Sequence, residues 1–308
     1  MSKRIVSRVL CWALWGLFSA LLVDCATVGK VTPGITELGQ AAGVLTHEQA
    51  ASINKSAVAV GKTFESITPE QEYYIGRAVS ATILTSYKPY TDEQATHYVN
   101  VLGQTLAMAS DRPETFGGYH FMLIDADEVN AFSAPGGLVM ISRGMVRCCK
   151  TEDALAAVLA HEIGHVAHRH GLQAIQKGRI TSALTILAVE SGKNLGGQEL
   201  AQLTKEFEGS ITDITSTLVN KGYSRALESD ADKAALMIMQ RVGYNPQALV
   251  DMLEEMKKGW SPGGLGFAKT HPDPADRIMD VQTLIGASHP VSVPDARQKR
   301  FENVLGTI

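Results

Sequence analysis

The chain of 308 residues lacks several features that would assign a protein class at once. It contains four cysteines and no Cys-x-x-Cys pair, so neither a cysteine zinc knuckle nor a thioredoxin-like motif is present. The net charge is −4 and no Lys/Arg cluster occurs, which excludes the basic surface typical of nucleic-acid-binding proteins. No internal repeat suggests a solenoid. The remaining composition, 45% hydrophobic and 19% charged, is that of an ordinary globular protein with one large domain or two small ones.

Long apolar runs are also scarce, because no run of about 20 residues, the length that spans a bilayer, follows position 25. The N-terminus has a different pattern. Lys3, Arg4 and Arg8 precede a short uncharged apolar run over 9–23, which Asp24 ends. A basic start followed by a short apolar segment is typical of a secretory signal peptide. We therefore expect residues 1–25 to be a signal peptide and the protein to be exported.

Cys25 ends the segment 22–25, which resembles a bacterial lipobox. Asp24 stands where that motif normally has Gly, Ala or Ser. We expect Cys25 to be a possible lipidation site; the alternatives are a cleaved soluble protein and an uncleaved signal anchor. Residues 26–45 are small and weakly patterned, which is typical of a tether ahead of a folded domain that covers 46–308.

Three helix starts share one capping pattern, in which a threonine hydroxyl at the N-cap is followed three residues later by a glutamine amide. The pairs are Thr46 with Gln49, Thr68 with Gln71, and Thr91 with Gln94. Pro69 at the first helical position supports the second start. The predicted helices are 46–62, 68–86 and 91–109.

The periodicity then changes from helical to extended. Residues 119–124 and 137–142 are short, apolar and rich in β-branched or aromatic side chains, and a turn-rich loop over 130–136 separates them. They predict two strands of a small sheet. A helix over 151–176 should follow, capped by Thr151.

The last third of the chain is mainly helical in pattern. The predictions are a long helical stretch over 198–242 broken near Gly209 or Gly222, a helix over 245–258, a surface loop over 260–269 and a helix over 274–285. The tail from 287 is left unassigned. The adjacent Cys148-Cys149 pair is compatible with free thiols, a vicinal disulfide or an intermolecular link. The expected fold class is α+β and mainly helical, with a small β-sheet beside the helix over 151–176.

The most informative segment is His161-Glu162-Ile163-Gly164-His165, an HExxH motif within that helix. Residues four apart lie on one helix face, so both imidazoles can bind one metal ion. Glu162 lies beside them and can accept a proton from a metal-activated water. The motif is short enough to arise by chance, so the rest of the chain must support it.

A catalytic zinc usually has three protein ligands. The extended HExxHxxGxxH pattern is absent, because His168 occupies its glycine position and Gly171 occupies its third histidine position. His168 is a weak alternative, since three ligands from one straight helix would be strained.

The stronger candidate for the third ligand lies in the segment 224–232, where Glu228 and Asp232 share one helix face. Glu228 can complete a His₂Glu site from a facing helix, and Asp232 can hold the outer N–H of a ligand histidine. Taken alone, these acids would equally suit a solvated helix face.

The ordered set of segments is more specific than any one of them. The sequence HEIGHVAHRH, then SRALESDAD about sixty residues later, then His271-Pro272, resembles the HtpX/BepA-like zinc metallopeptidase family. This family also includes the CaaX prenyl proteases and the mitochondrial Oma-type proteases. The resemblance covers about 68–285. Within this range, the stretch 130–137 ahead of the metal helix also resembles the family. It implies a zincin-like metalloprotease domain of the soluble, exported branch.

Carried over to this sequence, the resemblance implies one Zn²⁺ per chain bound by His161, His165 and Glu228. It also implies Glu162 as the general base, with Asp232 supporting a ligand histidine. His271 would stabilise the oxyanion, although His-Pro at a helix start is equally a structural turn. The strand around 137–142 is expected to be an edge strand that binds an extended peptide by β-addition.

The function implied is zinc-dependent endoproteolysis of polypeptides, in quality control of misfolded periplasmic or outer-membrane proteins. The expected location is the periplasm, with anchoring at the outer membrane through a lipid on Cys25. The alternative is a zinc-containing assembly or chaperone-like factor whose proteolysis is self-inhibited or minimal. No nucleic-acid partner is expected.

Overall fold

The structure is a computed structural model that describes residues 67–175, 197–258, 270–271, 274–286, 291 and 293–308. All of these residues belong to one compact unit that begins at Ile67. The signal peptide, Cys25, the tether, the predicted helix over 46–62 and the predicted loop over 260–269 lie outside the described residues.

The first two helices of this unit begin at side-chain caps. Helix α1, Pro69–Ile83, starts in the predicted capping box, where the Gln71 backbone N–H donates to the Thr68 hydroxyl at 3.2 Å. Helix α2, Glu93–Met108, starts one residue later than predicted. Asp92, not Thr91, is its N-cap, because the Asp92 carboxylate accepts the Ala95 N–H at 2.9 Å.

A three-stranded sheet follows, formed by β1 His120–Ile124, β2 Ala131–Ala134 and β3 Leu138–Ser142. The strand order is β1-β3-β2, with β1 parallel and β2 antiparallel to β3. Both predicted strands are confirmed. The prediction of a loop over 130–136 was wrong in part, because its first half pairs with β3 as β2 and only its glycine end forms the connecting turn.

Helices make up most of the remaining described structure. They are α3 Arg143–Cys148, α4 Glu152–Ala167, α5 His170–Gln173, α6 Gly197–Ser216, α7 Arg225–Arg241, α8 Gln247–Lys258, α9 Pro274–Ile285 and α10 Asp295–Leu305. The prediction of an α+β, mainly helical class is confirmed. Within the described ranges, each helix is too short or too polar to cross a lipid bilayer.

The end of α4 and the break ahead of α7 position the two segments that carry the predicted metal ligands. The predicted helix over 151–176 ends at Ala167, because Arg169 adopts a left-handed backbone conformation with φ of 56° and the chain restarts as α5. Of the two predicted break positions, Gly222 is confirmed, whereas α6 continues through Gly209. A short π-helix, Thr217–Lys221, ends at Gly222 with a φ of 75°, a conformation that favours glycine.

Helix α4 is the centre of the unit. Every residue from Glu152 to Val166 is buried, so the helix is packed on all sides and its acidic residues and histidines need partners inside the protein. Gly164 faces α7, and a Cβ at this position would lie 2.9 Å from the Ala231 carbonyl oxygen. Glycine is therefore required for α4 and α7 to pack this closely.

The first turn of α4 is anchored by the C-terminal helix. Glu152 is 1% exposed and pairs with Arg300 of α10, while the Tyr244 hydroxyl donates to it at 2.7 Å. Asp153 is buried as well and lies 3.4 Å from Arg297 of α10. A buried carboxylate needs such partners, so these contacts fix the N-terminus of the central helix.

The prediction that 137–142 is an edge strand was wrong, because β3 is hydrogen-bonded on both sides. The outer edge of β1 is covered by Asn100, whose Oδ1 accepts the Phe121 N–H at 3.0 Å. The other edge of the sheet is β2, which is buried and packs against α4.

Candidate metal centre

Two histidines of α4 direct ring nitrogens at each other. His161 Nε2 and His165 Nε2 lie 3.1 Å apart, and both side chains are buried. The four-residue spacing places them on one helix face. Two nitrogens bound to one zinc at about 2.0 Å and a tetrahedral angle are about 3.3 Å apart, so the observed separation fits a shared ion.

Glu228 of α7 extends this pair to three donors. Its Oε2 lies 3.5 Å from His161 Nε2, and its Oε1 lies 3.4 Å from His165 Nε2. The side chain is 0% exposed. The structure thus brings together, from two packed helices, the three residues that the sequence predicted as ligands.

His271 also lies at this centre. Its Nδ1 is 2.8 Å from Glu228 Oε2, and one donor atom from each of His161, His165, Glu228 and His271 falls within 4.8 Å of the others. The sequence placed His271 beside the reacting carbonyl. The structure places it inside the donor group itself, a position from which an imidazole can either bind the metal or face a bound substrate.

Asp232 occupies the predicted place one helical turn beyond Glu228. His161 Nδ1 lies 2.9 Å from Asp232 Oδ1, so the carboxylate accepts the outer N–H of a candidate ligand. Arg277 of α9 binds the same carboxylate through Nε at 2.9 Å and Nη2 at 2.6 Å, and its Nη1 lies 3.3 Å from Glu228 Oε2. Sequence reasoning missed Arg277, although it follows His271 by only six residues.

The two other histidines near the motif have different surroundings. His168 is exposed, and its ring stacks on the His170 ring with centroids 5.5 Å apart. His170 is buried and places its Nδ1 2.8 Å from His165 Nδ1. The structure therefore puts His170, rather than the alternative His168, in contact with a candidate ligand.

The charges at the centre follow from burial and from these contacts. Burial alone would raise the pKa of Glu228, but His271 and Arg277 hold that pKa well below its ordinary value. Burial would lower the pKa of His161, but hydrogen bonds to Asp232 and Glu228 raise it to about 9. Burial would raise the pKa of Asp232, but Arg277 and His161 lower it to about 2. Glu228 and Asp232 are thus carboxylates at neutral pH.

Two buried carboxylate oxygens show that these residues suit a metal. Glu228 Oε1 and Glu162 Oε1 are both inaccessible to solvent and accept no hydrogen bond from any residue that the structure describes. The other Glu228 oxygen, Oε2, contacts His271 and Arg277. A buried carboxylate oxygen that accepts no hydrogen bond is costly unless a cation or a bound water faces it. Two imidazoles and a carboxylate are also the donor types that zinc prefers.

Tyr223 covers one face of this centre. Its ring stacks on His165, with centroids 4.3 Å apart and planes 20° apart. Burial, with Glu162 and Glu228 nearby, raises the pKa of its hydroxyl well above the ordinary value. The only sign of this contact in the sequence is the position of Tyr223 next to the 224–232 segment.

Comparison with known proteins agrees with this geometry. The chain is 27% identical over 288 residues to the beta-barrel assembly-enhancing protease of Escherichia coli K12, covering 89% of this chain and 53% of that protein. It is 34% identical over 177 residues to the mitochondrial metalloendopeptidase OMA1 of Schizosaccharomyces pombe, covering 56% of this chain and 45% of that protein. It is 25% identical over 207 residues to the metalloprotease LoiP of Escherichia coli K12, covering 67% and 75%. The chain thus spans about half the length of the first two relatives.

The family comparison covers the part of the chain that carries the centre. Residues 93–285 match Peptidase family M48, a range that includes the HExxH motif, Glu228 and His271. Zinc is the metal of this family, in agreement with the donor set of the structure. Since the match extends over more than half of the sequence, the chain belongs to peptidase family M48.

Proposed function

We propose that this protein is a zinc-dependent endopeptidase that hydrolyses peptide bonds in polypeptide substrates. One observation carries the proposal: the buried donors His161, His165 and Glu228 meet next to the HExxH glutamate, whose Oε1 accepts no hydrogen bond from the described residues. The family membership supports the same reaction.

The residues have separate tasks in this reaction. His161, His165 and Glu228 would hold the zinc, which when bound would supply the Lewis acidity that activates water and polarises a carbonyl. Glu162 accepts the proton of the attacking water at its carboxylate and passes it to the nitrogen of the leaving amine. Asp232 keeps His161 oriented through the 2.9 Å contact at Nδ1.

The polypeptide substrate is proposed to pair with β2 rather than with β3. The Ser142 N–H donates to the Asn130 carbonyl, so in the alternating antiparallel pattern Ala131 and Ser133 turn their backbone groups away from β3. The Ala131 N–H already donates to Asn130 Oδ1 at 3.0 Å, so the proposed pairing rests on Ser133. β2 also packs against α4, which carries the motif. An extended peptide added there would run beside the donor group.

The substrates are proposed to be misfolded proteins of the cell envelope, and the protein is proposed to act in the periplasm. The similarity to the beta-barrel assembly-enhancing protease supports this proposal. Anchoring at the outer membrane through a lipid on Cys25 is supported by the resemblance of 22–25 to a lipobox.

A second candidate function is a self-inhibited assembly factor, and the position of His271 favours it. Zinc in a structural site commonly takes four protein ligands and leaves no position for water. With His271 inside the donor group, the described conformation offers four such ligands. This conformation would then be a resting state in which proteolysis is suppressed.

Replacing Glu162 tests the leading proposal. Glu162→Gln keeps the side-chain shape but cannot accept the proton, so casein cleavage should fall by about 10²- to 10⁴-fold while zinc content, measured by atomic absorption, stays at the wild-type level. Glu70→Gln on the exposed start of α1 is the control and should cleave casein normally. Wild-type cleavage rates in Glu162→Gln would refute the mechanism.

Replacing His271 separates the two candidate functions. If its imidazole stabilises the oxyanion, His271→Ala should lower kcat by about 10²- to 10³-fold at unchanged zinc content. If its imidazole closes the site, the same variant should cleave casein faster than the wild type. His97→Ala, which removes an exposed imidazole of α2, is the control for loss of a histidine.

Replacing Cys25 tests the proposed anchor. In a bacterium with an outer membrane, the wild type should sediment with that membrane and carry the mass of a lipid, and Cys25→Ser should be released with the soluble periplasmic proteins. Cys11→Ser, within the apolar run, should behave as the wild type. A wild type without lipid mass in the soluble fraction would contradict the anchor.

A further inference from the structure

The two histidines of the motif are supported by different chemistry at their outer nitrogens. His161 Nδ1 faces the Asp232 carboxylate at 2.9 Å. His165 Nδ1 faces another imidazole nitrogen, the Nδ1 of His170, at 2.8 Å. His165 and His170 are each 1% exposed, so bulk water does not compete for this contact.

A contact between two ring nitrogens requires that one of them carry a hydrogen and the other a lone pair. Nε2 of His165 faces Glu228 and His161, so it is the nitrogen that offers its lone pair to the metal. The hydrogen of neutral His165 must then be on Nδ1, which donates to His170 Nδ1. His170 consequently carries its own hydrogen on Nε2.

The backbone next to His170 is held in place by two partly exposed arginines that bind the buried Glu72 carboxylate. Arg169 has the left-handed φ of 56° that turns the chain from α4 into α5. Its Nε lies 3.1 Å from Glu72 Oε2, and its Nη2 donates to the Ile67 carbonyl at 2.7 Å. Glu72 is 0% exposed and is also bound by both terminal nitrogens of Arg112 at 2.9 Å. The turn that delivers His170 to His165 is therefore fixed from two sides.

We propose that His170 is a positioning residue for the metal, because it accepts the Nδ1 hydrogen of His165 and so holds the ring and its tautomer ready for binding through Nε2. Residues that hold a ligand histidine in this way commonly change metal affinity by about 10- to 100-fold. The inference rests on the proposed zinc site and assigns a role to a residue outside the donor group.

A simpler role for His170 is packing, since its ring also stacks on His168. The two roles require different properties of the side chain. Packing needs a flat ring of this size, and positioning needs an acceptor at the place of Nδ1. Phenylalanine keeps the ring and removes the acceptor, whereas asparagine removes the ring and puts its amide oxygen close to the place of Nδ1.

The test measures zinc binding rather than catalysis. Zinc dissociation constants of the purified full-length protein and its variants are obtained by competition with a chromophoric chelator, and the visible spectrum of the cobalt-substituted form reports ligand geometry. We expect His170→Phe to bind zinc about 10- to 100-fold more weakly and to alter the cobalt spectrum. His170→Asn should stay within about threefold of the wild type and keep its spectrum.

His168→Phe is the matched control, because it changes the neighbouring, exposed imidazole in the same way. It should bind zinc as the wild type does. Thermal unfolding of each metal-free variant shows whether a weakened affinity comes from a damaged fold, and the expected metal-free Tm of His170→Phe is that of the wild type.

Two results would overturn the positioning role. One is a wild-type zinc affinity in His170→Phe, and the other is an equal loss of affinity in the Asn and Phe variants. If the wild type itself took up no zinc, the proposed function would fail as well. If the wild type bound zinc and His170→Phe bound it equally well, only the role of His170 would fail.

Discussion

The close packing of α4 on α7 is the contact on which the centre depends. Gly164 allows it, because any side chain there would meet the Ala231 carbonyl oxygen. At this separation the Glu228 carboxylate lies within 3.5 Å of the ring nitrogens of His161 and His165. A methyl group at position 164 would push the helices apart and move Glu228 away from both histidines. Gly164 of the HExxH motif is thus under a packing constraint, while His161, Glu162 and His165 are the residues proposed to carry the chemistry.

This packing creates an electrostatic requirement that the rest of the unit meets. Glu162, Glu228 and Asp232 are all buried, and buried carboxylates are stable only with cations or hydrogen-bond donors. Arg277 supplies one positive charge from α9 and contacts two of the three. A zinc ion bound at the proposed donor group would supply the remaining compensation, so metal binding would favour correct folding of the centre.

Local sequence patterns predicted the parts of this fold that depend on neighbours in the chain. The capping box of Thr68, the cap of α4 and the break at Gly222 are short-range features and were correct. The same pattern was wrong at Thr91, where the adjacent Asp92 carboxylate takes the capping position. At the start of α2, two adjacent residues are both good N-caps, and the sequence pattern alone cannot decide which of them caps the helix.

Features that depend on contacts between residues far apart in the chain could not be predicted from local sequence patterns. β2 has the composition of a turn and becomes a strand only by pairing with β3. Helix α10 is polar, and ion pairs with the first turn of α4 hold it in place. Neither Arg277 nor His170 belongs to a recognisable motif. The role of each depends on a side chain that the fold places within 3 Å of it, Asp232 for Arg277 and His165 for His170.

We propose that Glu228 joins the two HExxH histidines in holding one zinc. The most direct test is the zinc stoichiometry and affinity of Glu228→Ala, with Asp230→Ala on the same helix as control because Asp230 pairs only with the nearby Lys233 among the described contacts. The wild type and Asp230→Ala should each bind one zinc per chain. Glu228→Ala should lose more affinity than the roughly 10- to 100-fold typical of a residue that only supports a ligand. Full zinc occupancy at wild-type affinity in Glu228→Ala would show that Glu228 is not a ligand.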